Sequence, residues 1–267
     1  MHSRPFKGRP KIPGQNSIGT GGQNSIGADN TLLVGDPGQM IISPLLNPKL
    51  SYRPSDFTPV VVVGTTEFVL AVHQALGANS VSEFIALAKS KPGTINYGSV
   101  GSGGIHHLAM EQFQLETGIK LVHIPYKGGA QSIPALLTNE VSAVFTGIAA
   151  PALLAGVKSG TIKFLGIAGP KRYSFIPDVP TLGEVGVPNM DFTGDSAIYA
   201  PAGTPNAVVS FLAREIATAI RQPEVLKGLN AAGVTPSGMA PEAFAARYRE
   251  QIEKYRNVIR ASGVQAQ

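Results

Sequence analysis

Cysteine and tryptophan are both absent from this chain of 267 residues. Without cysteine the protein can form no disulfide, use no thiolate nucleophile and bind no metal through cysteine sulfur. Charged residues make up only 15% of the sequence. No apolar run reaches the roughly 20 residues that a membrane-spanning helix needs, so we expect no direct insertion into a membrane.

Basic residues are in slight excess and are scattered along the chain. The formal net charge is +5, from 22 lysines and arginines against 17 aspartates and glutamates. A nucleic-acid surface would show clustered basic residues interleaved with aromatic ones, and the sequence shows neither, so no nucleic acid is expected. The excess favours a small acidic ligand instead. The basic residues at 1–7 are not followed by an apolar segment, so the sequence as written shows no signal peptide.

Residues 1–30 differ in composition from the rest of the chain and are predicted to form a flexible or irregular arm. They are rich in glycine, asparagine, serine and proline, and one hexapeptide occurs twice, at 14–19 and 22–27. Two copies of a turn-forming segment are too few for a repeat architecture.

From residue 31 onward, strand patterns alternate with amphipathic helix patterns. Regular βαβ alternation over 94–168 predicts a parallel sheet with helices on both faces. The predicted strands are 31–34, 59–63, 67–72, 94–99, 120–125, 141–146, 162–168 and 198–200. The predicted helices are one capped by Ser80, 103–117, 131–139, 150–159, one capped by Thr204, 223–231 and 241–261.

These elements predict an α/β fold of two lobes, each a mostly parallel sheet flanked by helices. Lobe 1 is predicted to comprise 31–95 plus 196–267, and lobe 2 to comprise 96–195, with two crossings near 95 and 195. A cleft between two lobes is a common place for a small ligand.

The glycine-rich segment Asn96–Leu108 is the first candidate for a binding site. A short strand precedes it and a helix pattern follows, so it is a loop that leads into a helix N-terminus. Glycine lets the backbone approach a ligand closely, and the first N–H groups of a helix lack partners within the helix. Unpaired N–H groups around 99–104, with the hydroxyls of Ser99 and Ser102, therefore predict a pocket for a small anion. The alternative is a tight turn without a ligand.

Two further strand ends carry polar residues. After one strand, Tyr126 offers an aromatic wall with a hydroxyl and Lys127 offers a cation, and Thr146 lies at the end of the next strand. In a parallel sheet these ends share one edge with the glycine-rich loop, where ligands of open α/β sheets bind. Taken alone, the segment 123–129 also fits a simple turn with a solvated lysine.

Hydrolysis is the main chemical alternative to binding. It would need a serine nucleophile and a histidine base, and the candidates are Ser99 and Ser102 with His106, His107 or His123. The G-x-S-x-G nucleophile elbow is absent. Consecutive helical residues point about 100° apart, so at most one of His106 and His107 faces the loop. Such a histidine can instead hydrogen-bond the neighbouring loop from the helix N-terminus.

No cofactor and no metal are predicted. The loop does not fit G-x-G-x-x-G, and no Lys-Ser or Lys-Thr follows it, as a phosphate-binding P-loop would require. His106 and His107 cannot easily ligate one ion from consecutive positions, and no HExxH motif occurs.

Four segments resemble the substrate-binding proteins of tripartite tricarboxylate transporters, the Bug family, over about residues 30–265. They are 96–103 with His107 and Leu108, 123–128, 177–181 with Glu184 and Gly186, and 200–205. The resemblance implies a periplasmic-binding-protein-like fold, a periplasmic location and no catalysis. It also implies a small carboxylate ligand and membrane permease subunits as partners.

By position, the resemblance implies ligand contacts from the loop, the tyrosine-lysine turn and the end of the third strand of lobe 2. The predicted ligand-binding residues are Ser99, Gly101, Ser102, Gly103, Gly104, Tyr126, Lys127 and Thr146. The family usually has a hydroxyl residue in place of Gly104 and often an aspartate in place of Thr146. The absence of that aspartate at 146 argues against a ligand with an amino group there. The family's first strand and Pro-Gly-Gly loop have no counterpart in 1–30, so we expect an N-terminally shortened chain with an incomplete first lobe.

We therefore predict an extracytoplasmic solute-binding protein that captures a small organic carboxylate between its lobes, and not an enzyme. Two alternatives remain open. One is a serine hydrolase that uses Ser102 and His107. The other is a truncated, non-functional relic of the binding protein.

Overall fold

The computed structural model describes residues 31–265, so the predicted arm at 1–30 lies outside the described residues. Within this range we find no helix whose length and hydropathy suit a membrane crossing. The strands are β1 Leu33–Gly35, β2 Phe57–His73, β3 Asn96–Ser99, β4 Val122–Pro125, β5 Ala143–Gly147, β6 Ile162–Ala168, β7 Thr193–Pro201 and β8 Thr235–Met239. The α-helices are α1 Ser43–Leu46, α2 Val81–Ser90, α3 Ile105–Thr117, α4 Gly129–Leu137, α5 Pro151–Lys158, α6 Asn206–Ile220, α7 Pro223–Ala231 and α8 Pro241–Ser262.

The longest strand, β2, has 17 residues and belongs to two sheets. The prediction of two separate strands at 59–63 and 67–72 is wrong, because the backbone between them stays extended. Gly64 lies there against β8, where a Cβ would come within 2.4 Å of the Val234 side chain. Glycine inside a strand often marks such a close approach, and the β-branched threonines that follow favour extension.

The first sheet has the order β1-β7-β2-β8 and contains the first half of β2. All of its neighbouring strands are antiparallel. The expectation of a mostly parallel sheet is therefore wrong for this half of the protein. The reason is that β7 and β8 run back along the two edges of β2, so no βαβ unit connects neighbours in this sheet.

The second sheet has the order β4-β3-β5-β2-β6. Strand β3 pairs in parallel with β4 and β5, as the βαβ pattern predicts. The second half of β2 lies between β5 and β6 and is antiparallel to both. The α/β fold with sheets flanked by helices is thus confirmed, and the second sheet is mixed, with β2 as the one antiparallel strand among otherwise parallel strands.

The chain passes between the two sheets at adjacent points. Strand β2 crosses at Glu67 and Phe68: Glu67 pairs with Thr193 at the start of β7, whereas Phe68 pairs with β5 and β6. The first crossing between sheets therefore lies inside β2 rather than near residue 95. The division of the chain into lobes remains a proposal, with the boundaries 31–95 plus 196–267 and 96–195.

The largest core is shared by both sheets. It includes aromatic side chains from α2, α3, β5, β7 and α8, all at most 1% exposed: Phe84, Phe113, Phe145, Tyr199 and Phe244. The predicted apolar face of the last helix is confirmed, because Phe244, Tyr248 and Tyr255 are buried in this core. Helix α8 therefore packs against the first sheet and also against α3 of the second.

Candidate functional site

Three strand ends meet at one edge of the second sheet. Strand β3 ends at Ser99, β4 at Pro125 and β5 at Gly147, and β3 lies between the other two in parallel pairing. Thr146, which is 8% exposed, is therefore one strand away from the loop that joins β3 to α3. The three segments singled out from the sequence share one edge of the sheet.

Two loop positions require glycine. The φ angles of Gly101 and Gly103 are +136° and +72°, a region that side chains strongly disfavour. A Cβ on Gly103 would also lie only 2.3 Å from Cδ1 of Leu46 in α1. The loop is therefore held in a specific shape and is covered closely by a helix on the side of the first sheet.

Most of the loop N–H groups are already used within the protein. The Gly101 N–H donates to Oγ of Ser99 at 3.2 Å, and the Gly103 N–H donates to Nδ1 of His107 at 2.9 Å. The Gly104 N–H donates to the Gly101 carbonyl at 3.3 Å. The expectation that the whole loop presents unpaired N–H groups is thus wrong for three of its glycines. The physical reason is that buried N–H groups need partners, and the turn itself supplies them.

Ser102 offers two hydrogen-bond donors, its N–H and its hydroxyl. Neither its N–H nor its hydroxyl has a partner among residues 31–265, and Thr146 likewise has an unpaired hydroxyl there. Helix α3 begins at Ile105, and the preceding Gly104 provides no side-chain cap. The open N-terminus of a helix adds unpaired N–H groups and a partial positive charge. Together these groups can receive the oxygens of a carboxylate.

The tyrosine-lysine turn is tied to the loop by its backbone. The Tyr126 N–H donates to the Ser99 carbonyl at 3.0 Å. The Tyr126 hydroxyl donates to Oε1 of Glu140 at 2.7 Å, and burial together with this carboxylate raises the pKa of Tyr126 to about 12. Glu140 precedes β5, at the opposite end of the sheet, so this hydroxyl proton is turned away from the loop. Lys127 is exposed to solvent.

Two stacked histidines lie against the loop. The rings of His107 and His123 are 3.8 Å apart and nearly parallel, at 15°. His107 is 7% exposed and bonds the loop from the first turn of α3, as the alternative to catalysis predicts. Nε2 of His123 lies 2.7 Å from Oγ of Ser99. Burial and the neighbouring His107 lower the pKa of His123 to about 4, which leaves its ring neutral near pH 7.

The adjacent His106 points away from this pair. Its ring stacks on Phe68 of β2 with centroids 4.6 Å apart, and its buried Nδ1 has no hydrogen-bond partner in the described part of the chain. Burial lowers the pKa of His106 to about 4. The ring is therefore neutral near pH 7 and adds no cation at the start of α3.

The geometry does not favour a serine hydrolase. Both ring nitrogens of His107 face groups other than Ser102, so the predicted catalytic pair is not formed. The serine-histidine pair that does form joins Ser99 to His123. Ser99 is only 2% exposed, so its hydroxyl is inaccessible to a substrate.

Other candidate sites lie elsewhere in the fold. One cavity of about 690 Å³ lies between segment 44–59 and α8, and another of about 680 Å³ lies between α3 and α8. Neither is lined by a residue of the predicted site. Within 31–265 there is no group of three histidine or carboxylate side chains placed to hold a metal ion.

Two sheets that share a strand, with a polar loop at the strand ends, define an α/β protein of the periplasmic-binding-protein type. The family described as the tripartite tricarboxylate transporter family receptor matches residues 23–264. Protein BugT of Bordetella pertussis is 30% identical over 260 residues, which cover 93% of this chain and 78% of BugT. This chain belongs to that receptor family, and the resemblance seen in its motifs is confirmed.

Solved structures with the same fold agree. An R. palustris protein, Rpa4515 with adipate, superposes with a TM-score of 0.75 at 27% identity, over 88% of this chain and 78% of that chain. A structure described as a periplasmic transporter superposes with a TM-score of 0.75 at 31% identity, over 88% of this chain and 78% of that chain. MatC from Rhodopseudomonas palustris with bound malate superposes with a TM-score of 0.71 at 26% identity, over 85% of this chain and 78% of that chain.

Sequence reasoning missed one contact of the loop. The packing of Leu46 on Gly103 depends on where α1 lies, and no local pattern indicates it. The bond from Gly103 to His107 fits the expected histidine that bonds the loop from the helix N-terminus, and it has a local signal. A side chain at the third helical position commonly accepts an N–H from just before the helix, as in a capping box.

Proposed function

We propose that this chain captures a small organic carboxylate in a cleft between its two lobes and delivers it to the membrane permease subunits of a tripartite tricarboxylate-type transporter. The family and the fold are those of solute-binding receptors. The proposed role is binding without catalysis, with hinge closure around the ligand as the functional step.

The observation that carries this proposal is the unpaired state of Ser102. Its N–H and hydroxyl point to no group among residues 31–265, beside the uncapped start of α3 and one strand from Thr146. The proposed ligand contacts are centred on these donors, with Ser99 and the loop glycines giving the loop its shape. Tyr126 and Lys127 remain proposed contacts, although the hydroxyl proton of Tyr126 is donated to Glu140.

A carboxylate without an amino group fits these donors best. The site offers hydroxyl and N–H donors, and Thr146 supplies no carboxylate to neutralise an ammonium group. The relatives Rpa4515 and MatC were solved with adipate and malate, which are both dicarboxylates. We propose a ligand of that class for this chain.

A periplasmic location is proposed together with the function. It is supported by the receptor family and by the 31% identical periplasmic transporter structure. The adjacent crossings at Glu67 and Thr193 give a short connection about which the two sheets can hinge.

Isothermal titration calorimetry against mono-, di- and tricarboxylates tests the proposal, with malate and adipate as the first probes. Saturable binding of at least one acid is expected. The neutral diamide of the same acid is the matched control, because it keeps the shape and removes the charge. If a folded protein binds no carboxylate in the panel, or binds diamide and acid equally, the proposed function is wrong.

A further inference from the structure

His107 is bonded in a way that fixes which of its ring nitrogens carries the proton. Its Nδ1 accepts the Gly103 N–H at 2.9 Å, and a backbone N–H can only donate, so Nδ1 is unprotonated. The ring proton is therefore on Nε2, which faces Oε1 of Glu111 at 3.5 Å. The loop and the glutamate thus select the same tautomer from opposite sides of the ring.

A second tie holds the other end of the loop. Oγ of Ser99 accepts the Gly101 N–H at 3.2 Å and lies 2.7 Å from Nε2 of His123. The ring of His123 stacks on that of His107. Both ends of the loop are therefore fixed to one stacked pair of imidazole rings, one from β4 and one from α3.

The stacked pair is braced by further polar groups that are buried or partly buried. The hydroxyl of Tyr97 donates to Oε1 of Glu111 at 2.6 Å, and Nε2 of Gln114 donates to the same atom at 2.8 Å. Tyr97 also stacks on His123, with ring centroids 4.9 Å apart. Buried polar groups are costly unless they are all bonded, and an apolar side chain at 107 would cover the helix start without that cost. The arrangement is explained if the role of His107 is to accept the Gly103 N–H and hold the loop in place.

We infer that His107 is a positioning residue: by accepting the Gly103 N–H it holds Gly103 in its left-handed conformation and so keeps the donors of Ser102 available to a carboxylate. The consequence for affinity rests on the proposed function, whereas the consequence for the loop does not.

The unliganded protein gives the first test, by NMR hydrogen exchange of the Gly103 amide. We expect this amide proton to exchange slowly in wild type, because its bond to Nδ1 of His107 protects it. In His107→Leu the protection should be lost. In His107→Asn, whose side-chain oxygen can accept the same bond, protection should remain. A wild-type Gly103 amide that exchanges as fast as an unprotected amide overturns the inference, even if neither variant folds.

Affinity gives the second test, with malate and adipate as probes. His107→Leu should bind about tenfold more weakly than wild type, because binding must then restore the shape of the released loop, at a cost comparable to that of a buried N–H without an acceptor. His107→Asn should bind like wild type, because its side-chain oxygen keeps the bond to Gly103. The matched control is His73→Leu, since Nδ1 of His73 accepts the Ala75 N–H at the other end of the sheet.

The outcomes of the two tests are distinguishable. If wild type binds neither probe while the Gly103 amide is protected in wild type and His107→Asn but not in His107→Leu, the positioning role stands and the proposed function loses support. If wild type binds and His107→Leu binds equally well, or if His107→Asn binds as weakly as His107→Leu, the inference is wrong and the proposed function is untouched.

Discussion

At the scale of single residues, Ser102 is the side chain on which the proposed site depends most. A ligand can accept a hydrogen bond from the Ser102 hydroxyl without breaking a bond inside the described part of the protein. A hydrogen bond to a charged group contributes about 1.5–3 kcal/mol. Ser102→Ala should therefore weaken the binding of malate or adipate by about tenfold or more, as measured by calorimetry, and leave the free energy of unfolding unchanged.

The matched control for that substitution is Ser90→Ala. The Ser90 hydroxyl donates to the Leu87 carbonyl at 2.8 Å, at the end of α2 and outside the loop. Its removal should leave affinity as in wild type. Equal affinity in Ser102→Ala and Ser90→Ala would exclude Ser102 from the site.

His106 predicts a dependence of stability on pH. Its folded-state pKa of about 4 lies below the value of about 6.5 for a free imidazole, so the unfolded chain takes up the proton first as the pH falls. The stability that the neutral ring contributes is complete above about pH 6.5 and is lost toward about pH 4, about 3 kcal/mol in total. His106→Phe keeps a ring against Phe68 but cannot titrate. Its unfolding free energy, measured by urea titration at a series of pH values, should fall less steeply than that of wild type; parallel curves would contradict this account.

The position of the glycine-rich loop was predictable from the sequence, but the bonding of its residues was not. Glycines and serines between a strand and a helix indicated where the loop lies. They did not indicate that the Gly101 and Gly103 N–H groups are satisfied internally, because that depends on the dihedral angles of the folded loop. The direction of the Tyr126 hydroxyl was equally hidden, because it depends on the distant Glu140.

At the scale of elements, the packing of α1 on the loop predicts a coupled effect of two substitutions. In Gly103→Ala the left-handed backbone costs about 1–2 kcal/mol, and the new methyl group also collides with Leu46. Overpacking adds about 1–3 kcal/mol. In a Leu46→Ala background the collision disappears, so there Gly103→Ala should cost only the backbone part. Urea unfolding of both single variants and the double variant measures the difference, and equal costs in the two backgrounds would show that α1 does not press on the loop.

The elements themselves were predictable where their periodicity was strong. Strands β3 to β6 and the helices between them follow the βαβ pattern closely. Strand β8 was not predicted, because its sequence contains Pro236 and Gly238 and carries little strand propensity. It forms because β2 offers it a partner edge. Pairing of this kind is tertiary and leaves no local signal.

At the scale of the whole molecule, one strand links the two sheets, and periodicity alone could not reveal it. The two apolar runs of β2 look like two strands, because a sequence pattern shows which residues are buried but not which strands they pair with. The first crossing was therefore expected near residue 95. The pairing of Glu67 with Thr193 instead brings both connections together at one point.

A buried ion pair lies beside this crossing and gives the last prediction. Nε of Arg247 in α8 donates to Oδ2 of Asp195 at 2.8 Å, and Asp195 is 1% exposed. Nε2 of Gln251 donates to the same carboxylate oxygen at 3.1 Å, and an Arg247 N–H donates to the Thr193 hydroxyl at 2.7 Å. Helix α8 is thus fastened to β7 where the chain changes sheets.

Arg247→Met should destabilise the protein by about 3–5 kcal/mol, because it leaves the carboxylate of Asp195 buried without its counter-ion. Asp195→Asn should cost less, since an amide keeps the bonding to Gln251 and the Arg247 side chain is 22% exposed. In the double variant neither charge is left behind, so its cost should fall well below the sum of the two single costs. A double-mutant cycle by urea unfolding measures this coupling. Additive costs would mean that the two side chains act independently, and that their ion pair does not hold α8 at the crossing.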